Sequence, residues 1–168
     1  MNLQDLRTLV EYHYWARDRM LAALEPLTAE QYTRDLGNSF RSIRDTVVHI
    51  YAAEWAWYSR WRGQSPTALL NADLLPDLGT LRQAWLDHEV KLRAIVEEFG
   101  DGVDRVIEYK LLSGDPGASP FWQMVQHVVN HASYHRGQVT TMLRQIGAAP
   151  PKSMDLIAFY RTRVQAVR

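Results

Sequence analysis

Apolar residues recur every three or four positions along most of the chain, as one face of a helix requires. Turn signals cut this pattern into long segments. The first runs from about Leu3 to Leu24, with Leu6, Val10, Tyr14, Met20 and Leu21 on its stripe. Asn2 is placed to cap it and Pro26 to end it. The second runs from about Ser39 to Gly63, lined by Phe40, Ile43, Val47, Ile50, Tyr51, Trp55, Tyr58 and Trp61. Ala52, Ala53, Ala56 and Trp57 fill other sectors, so this helix should be covered on more than one side. The stretch GQSPTALLNADLLPDLG follows as a loop. A third helix starts at Thr80, which stands in capping-box spacing with Gln83, and stops at Gly100. Its stripe is Leu81, Trp85, Leu92, Ile95 and Phe99. Between Asp101 and Pro120 the rhythm loosens, and VDRVIEYKLL with SGDPGASP reads as a short strand or hairpin. A fourth helix follows Ser119 as N-cap, with Pro120 at its first position, and runs to Ile146 before Gly147. Ser153 caps a shorter last helix, MDLIAFYRTRVQAV. Four long helices and a short one predict an all-α antiparallel four-helix bundle in a single domain spanning 1–168.

Composition narrows the chemistry. Charge is balanced, with 19 basic and 19 acidic residues, which gives no electrostatic reason to expect a nucleic-acid or anionic-membrane partner. No apolar run is long enough to span a bilayer, and the N-terminus lacks the basic and apolar regions of a signal peptide. A cytoplasmic location is the default expectation. Cysteine is absent, so any metal must be held by His and carboxylate, and any thiol must come from outside. Six Trp, eight Tyr and four Phe point to an aromatic core or interface.

Half of the six histidines fall in QHVVNHASYHRGQ, as His127, His131 and His135. At 100° per residue, His135 lies about 40° from the apolar stripe of its helix, His131 about 80° and His127 about 120°. Residues four apart can grip one ion, whereas His127 and His135 are separated by roughly 12 Å along the axis. The inward pair is therefore His131 and His135. The same spacing also suits histidines that only hydrogen-bond within a bundle. A third ligand must come from another helix, with His13, His49 and His88 as candidates. His88 lies on an apolar face, where a hydrogen-bonded core histidine is the simpler reading, and His13 would be half buried. His49 is turned away from the main stripe and borders Thr46, Ile50, Ala53 and Trp57, so periodicity permits it without choosing it.

HIYAAEWAWYSRWRG, HVVNHASYHRGQVTTMLRQIGAAPPKSMDLIAFY and YHYWARDRML together resemble the DinB-like (YfiT-like) metalloproteins over nearly the whole chain. The segment NH-x3-HRGQ followed by PP-x3-DLI is the most specific part. The resemblance implies a DinB-type bundle, often a homodimer. It also implies a divalent metal, zinc or nickel before others, on three histidines, which fall here on His49, His131 and His135. Relatives of this kind imply a thiol S-transferase, using a low-molecular-weight thiol such as bacillithiol or mycothiol against an electrophilic substrate. Three neutral imidazoles leave an open position on the ion, the pattern of a catalytic site.

Two other functions fit the same residues. One is a hydrolase using metal-bound hydroxide, for which Glu54 is the obvious general base. The other is a non-catalytic metal-binding stress-response protein. Glu54 also reads as a partner for a ligand imidazole or as a buried ion-pair partner of Arg136. Tyr134 and Gln138 flank the late histidine pair and line the mouth of the site or pack beside it. Trp55, Trp57 and Trp61 are expected in the core or at a dimer interface.

Overall fold

The computed structural model describes residues 1–166. It is a helical bundle with one small hairpin. Helix α1 spans Leu3–Leu24, and Asn2 and Asp5 form a reciprocal capping box at its start. A short helix, α2 (Ala29–Thr33), follows behind a second capping box formed by Thr28 and Gln31. Its five residues are too few to register as an apolar stripe. Helix α3 covers Ile43–Trp61. It starts later than the Ser39 expected, because Ser42 accepts the N–H of Asp45 and so takes the cap position. Phe40 is thereby left on an irregular approach segment instead of on the helix.

Helix α4 covers Leu78–Phe99. Its cap is Asp77, which accepts from both the N–H and the hydroxyl of Thr80, so the Thr80–Gln83 box expected does not form. Gly100 ends it at φ +49°, a conformation that favours glycine. The hairpin pairs β1 (Val106–Lys110) with β2 (Pro116–Pro120), antiparallel, with Val106 opposite Pro120 and Lys110 opposite Pro116. Ser119 therefore belongs to a strand and does not cap the next helix. Helix α5, Phe121–Gln145, starts directly after Pro120, and the Phe121 N–H bonds to the carbonyl of Arg105. Helix α6, Leu156–Ala166, starts two residues past the expected Met154, with Asp155 accepting at its first turn.

The four long helices close a ring. α3 packs on α5 and α4, and α1 packs on α5 and α4. Leu6, Ile43, Leu81, Phe121, Val139 and Leu143 are fully buried where they meet. Apolar side chains at such positions contribute about 1.5–3 kcal/mol each. Phe159 ties α6 to α1 and α5 through Tyr12, Ala16 and Val129. No helix among the described residues is long and apolar enough to cross a membrane.

One carboxylate sits inside this core. Glu54 on α3 is 1% exposed. It accepts from Tyr14 and Trp85, each at 2.8 Å, and pairs with His13 at 2.8 Å. His88 lies 3.8 Å away and packs edge-on to Tyr51 and Tyr58. His13 is thus fully buried, not half buried as the sequence suggested. Burial alone would raise the Glu54 pKa, but the His13 charge and hydrogen bond, with His88 and Tyr14, hold it below the usual carboxylate range. Burial also lowers the pKa of His88.

The sign of the pH effect is the same for both groups. A depressed carboxyl stabilises the native state at neutral pH and loses that contribution as pH falls through its folded value. A depressed imidazole favours the native state only while neutral, so it too weakens the fold as pH falls. Urea unfolding should therefore show stability declining from pH 7 towards pH 4. Glu54→Ala should cost about 3–5 kcal/mol at pH 7, because it strips the partner from buried donors. With the titration carried on to pH 3, Glu54→Gln should flatten only the part of the decline below about pH 4.5, where the depressed carboxyl loses its contribution. Unchanged midpoints in both variants would contradict this account.

Candidate metal centre

His131 and His135 stand one turn apart on α5, and His49 faces them from α3. Their Nε2 atoms converge, with His131 lying 3.2 Å from His49 and 3.0 Å from His135. The three form a group able to hold a metal ion, and among the described residues no carboxylate joins them. His13 and His88, the other candidates for the third position, lie in the core on the Glu54 side of α3, His13 bonded to Glu54 and His88 3.8 Å from it.

The donor set can be tested for fit. The Nδ1 of His135 is 2.7 Å from Oε1 of Gln138. An amide oxygen only accepts, so Nδ1 carries the proton and the Nε2 of neutral His135 is a bare lone pair. The Nε2 of His131 faces two nitrogens and has at most one proton to offer. A cluster of lone pairs with too few protons is what a cation would satisfy. Nitrogens at tetrahedral corners about 2.0–2.1 Å from zinc stand roughly 3.3 Å apart, close to the spacing present.

Burial, then the charge of His135, lowers the pKa of His49 to about 4. His131 is lowered to about 3 by burial and then by His135, His49 and His127. Both therefore stay neutral and ligand-competent well below the ordinary histidine value.

The surroundings hold the rings in place. Phe40 stacks on His49 at 4.2 Å and meets His135 edge-on at 5.5 Å. Tyr134, largely exposed, packs edge-on to His135 at 5.1 Å. Gln138 orients His135 through that contact. His127 is exposed and is not one of the three, with its ring 5.9 Å from His131 and 5.1 Å from Trp57. Trp57 in turn meets Tyr109 of the hairpin at 5.1 Å. Trp61 is in the core, and Trp55 and Trp57 are half buried.

Glu54 corrects two expectations. It touches neither a ligand imidazole nor Arg136, since its oxygens are taken by His13, Tyr14 and Trp85. Five residues along α3 turn it about 140° from His49, so the two point into opposite sides of the bundle. Phe40 is the contact that sequence reasoning missed as part of the site. Its apolar character suited a helix stripe, and nothing local signalled that the helix would start after it.

The chain is thus a four-helix bundle carrying a three-histidine centre able to hold a metal. A model of the DinB family matches residues 1–163, and the chain belongs to that family. It is also similar to Protein DinB of Bacillus subtilis (strain 168), at 27% identity over 158 residues, covering 90% of this chain and 92% of that protein.

Untagged protein that has met no nickel column should contain about one divalent ion per chain by elemental analysis. His49→Ala and His131→Ala should each lose it while keeping the helical circular dichroism of the wild type. Protons compete with metal only where the imidazoles titrate. The ion should therefore be retained through pH 6 and released as pH approaches the values of about 4 and 3 found for His49 and His131. Release centred near pH 6.5 would contradict the depressed values.

Proposed function

We propose that this protein is a divalent-metal-dependent S-transferase that joins a low-molecular-weight thiol to an electrophile. The observation that carries the reading is the donor set. Three imidazoles converge with no carboxylate among the described residues joining them, in a chain without cysteine. His49, His131 and His135 would hold a divalent ion, zinc or nickel on this reading, and such an ion would lower the pKa of a thiol bound to it.

The chain's own residues do the rest. Gln138 and Phe40 keep the imidazoles in place, so the site does not reorganise when a thiol arrives. His127 stands exposed beside His131, with its pKa lowered by burial and then by Arg60. As a neutral imidazole it can take the thiol's proton to solvent. The sulfur then forms a bond to the electrophilic carbon, and the leaving group departs with the electron pair of the bond that breaks. Trp57 and Tyr134 offer aromatic surface on which an electrophile can rest. The same reading carries a cytoplasmic setting, where such thiols are kept reduced, and a homodimer as the assembly.

Hydrolysis by metal-bound hydroxide is disfavoured by one observation. Glu54, the carboxylate it would need, is sealed in the core and bonded to three donors. Metal-loaded protein should conjugate a small thiol to 1-chloro-2,4-dinitrobenzene, with release of chloride. His49→Ala and His131→Ala should fall to the uncatalysed rate. Thiol-independent ester hydrolysis without conjugation would overturn the reading in favour of the hydrolase.

A further inference from the structure

Arg136 follows His135 directly, yet points about 100° away around α5. It is 2% exposed. Its guanidinium donates one hydrogen bond to the hydroxyl of Ser133 at 2.7 Å and lies 5.5 Å from the ring of Tyr12. Among the described residues no carboxylate lies within ion-pairing distance of it. Arg136 is one of the residues that line a cleft on this side of α5. The Glu54 charge acts on Arg136 only from a distance, and a buried cation without a paired anion is costly unless something supplies one.

That cleft lies between α1, α5 and the segment running from Pro150 to Leu156, and encloses about 540 Å³. Arg144, two turns further along α5, and Lys152 on the opposite rim also line it. Both are exposed and neither is ion-paired to a described residue. Ser133 and Ser153 also line it, their hydroxyls bonded to Arg136 and Asp155. Among the described residues Asp155 is the one acid on the lining, and it accepts from the Ser153 hydroxyl. Three cations against one carboxylate leave a net charge of plus two on the lining.

We propose that this cleft is a second binding site, separate from the three-histidine centre, and that it takes the phosphate group of a small phosphate monoester. Arg136 is the buried anchor, and Arg144 and Lys152 close on the phosphate from the rim. A dianion with three terminal oxygens matches both the surplus charge and donors that converge from several sides. A carboxylate, planar and singly charged, matches neither as well.

The test is a nitrogen-15 NMR titration of the metal-free protein with inorganic phosphate, at ionic strength held constant with sodium chloride. The amides of Gly137, Thr140 and Ser153 should move along a saturable curve, and equally in His131→Ala, which lacks a ligand of the other centre. Arg144→Ala with Lys152→Ala, both exposed positions that leave the core untouched, should weaken binding by about tenfold or more. Arg136→Met should abolish it, and if that variant does not fold the rim variant decides. Shifts that rise linearly without saturation, that acetate reproduces at equal concentration, or that survive the rim substitutions would overturn the proposal.

Discussion

Glu54 places a carboxylate where the bundle is driest, and donors from two other helices are committed to it. Tyr14 and His13 come from α1 and Trp85 from α4. Each of these is a polar group that the core could not bury alone, and the carboxylate could not be buried without them. The cluster therefore acts as one unit, either complete or far worse than an apolar filling. It also fixes the rotation of α3. A helix apolar around much of its circumference could pack at several angles, but only one sends Glu54 between α1 and α4.

That rotation is what presents His49 to α5. The two residues lie on opposite sides of α3, so setting one sets the other. α3 thus separates two kinds of chemistry. Towards α1 and α4 it carries a carboxylate bonded to three donors, while His13 Nδ1 and His88 Nε2 beside it are left without a partner. Towards α5 it brings three imidazole nitrogens together that the protein does not answer, since Gln138 settles the far side of His135 and leaves its near side bare.

Much of this was legible in the chain. The long helices follow from spacing, and α1 appears with its cap and both ends. The inward pair, His131 and His135, follows from angles on α5 alone. His49 was not reachable that way. Periodicity permitted His49 without choosing it over His13 and His88, because the choice depends on which face of α3 meets α5. The resemblance to DinB-like proteins supplied His49, and the structure brings it to the pair. The helix starts were least legible, since Ser39, Thr80 and Ser119 are good caps in isolation. Ser42, Asp77 and the strand pairing of Ser119 prevailed because capping is a competition between neighbours. Glu54 was misread for a related reason: a glutamate on an apolar face says that it is buried, not which partners bury it.

The late start of α3 has an effect beyond its own boundary. Phe40, left off the helix, rests flat on His49 from an irregular segment whose backbone is held by few bonds, among them Leu36 to Arg41. An imidazole pinned from outside in this way is ready to bind only while the segment is seated. Any motion that lifts Phe40 frees the ring and dilutes the fraction of molecules with all three nitrogens aligned, which lowers apparent affinity by that same fraction. The grip on an ion is therefore set partly by a stretch of chain that supplies none of its ligands. Relatives could tune metal retention there without altering a single histidine.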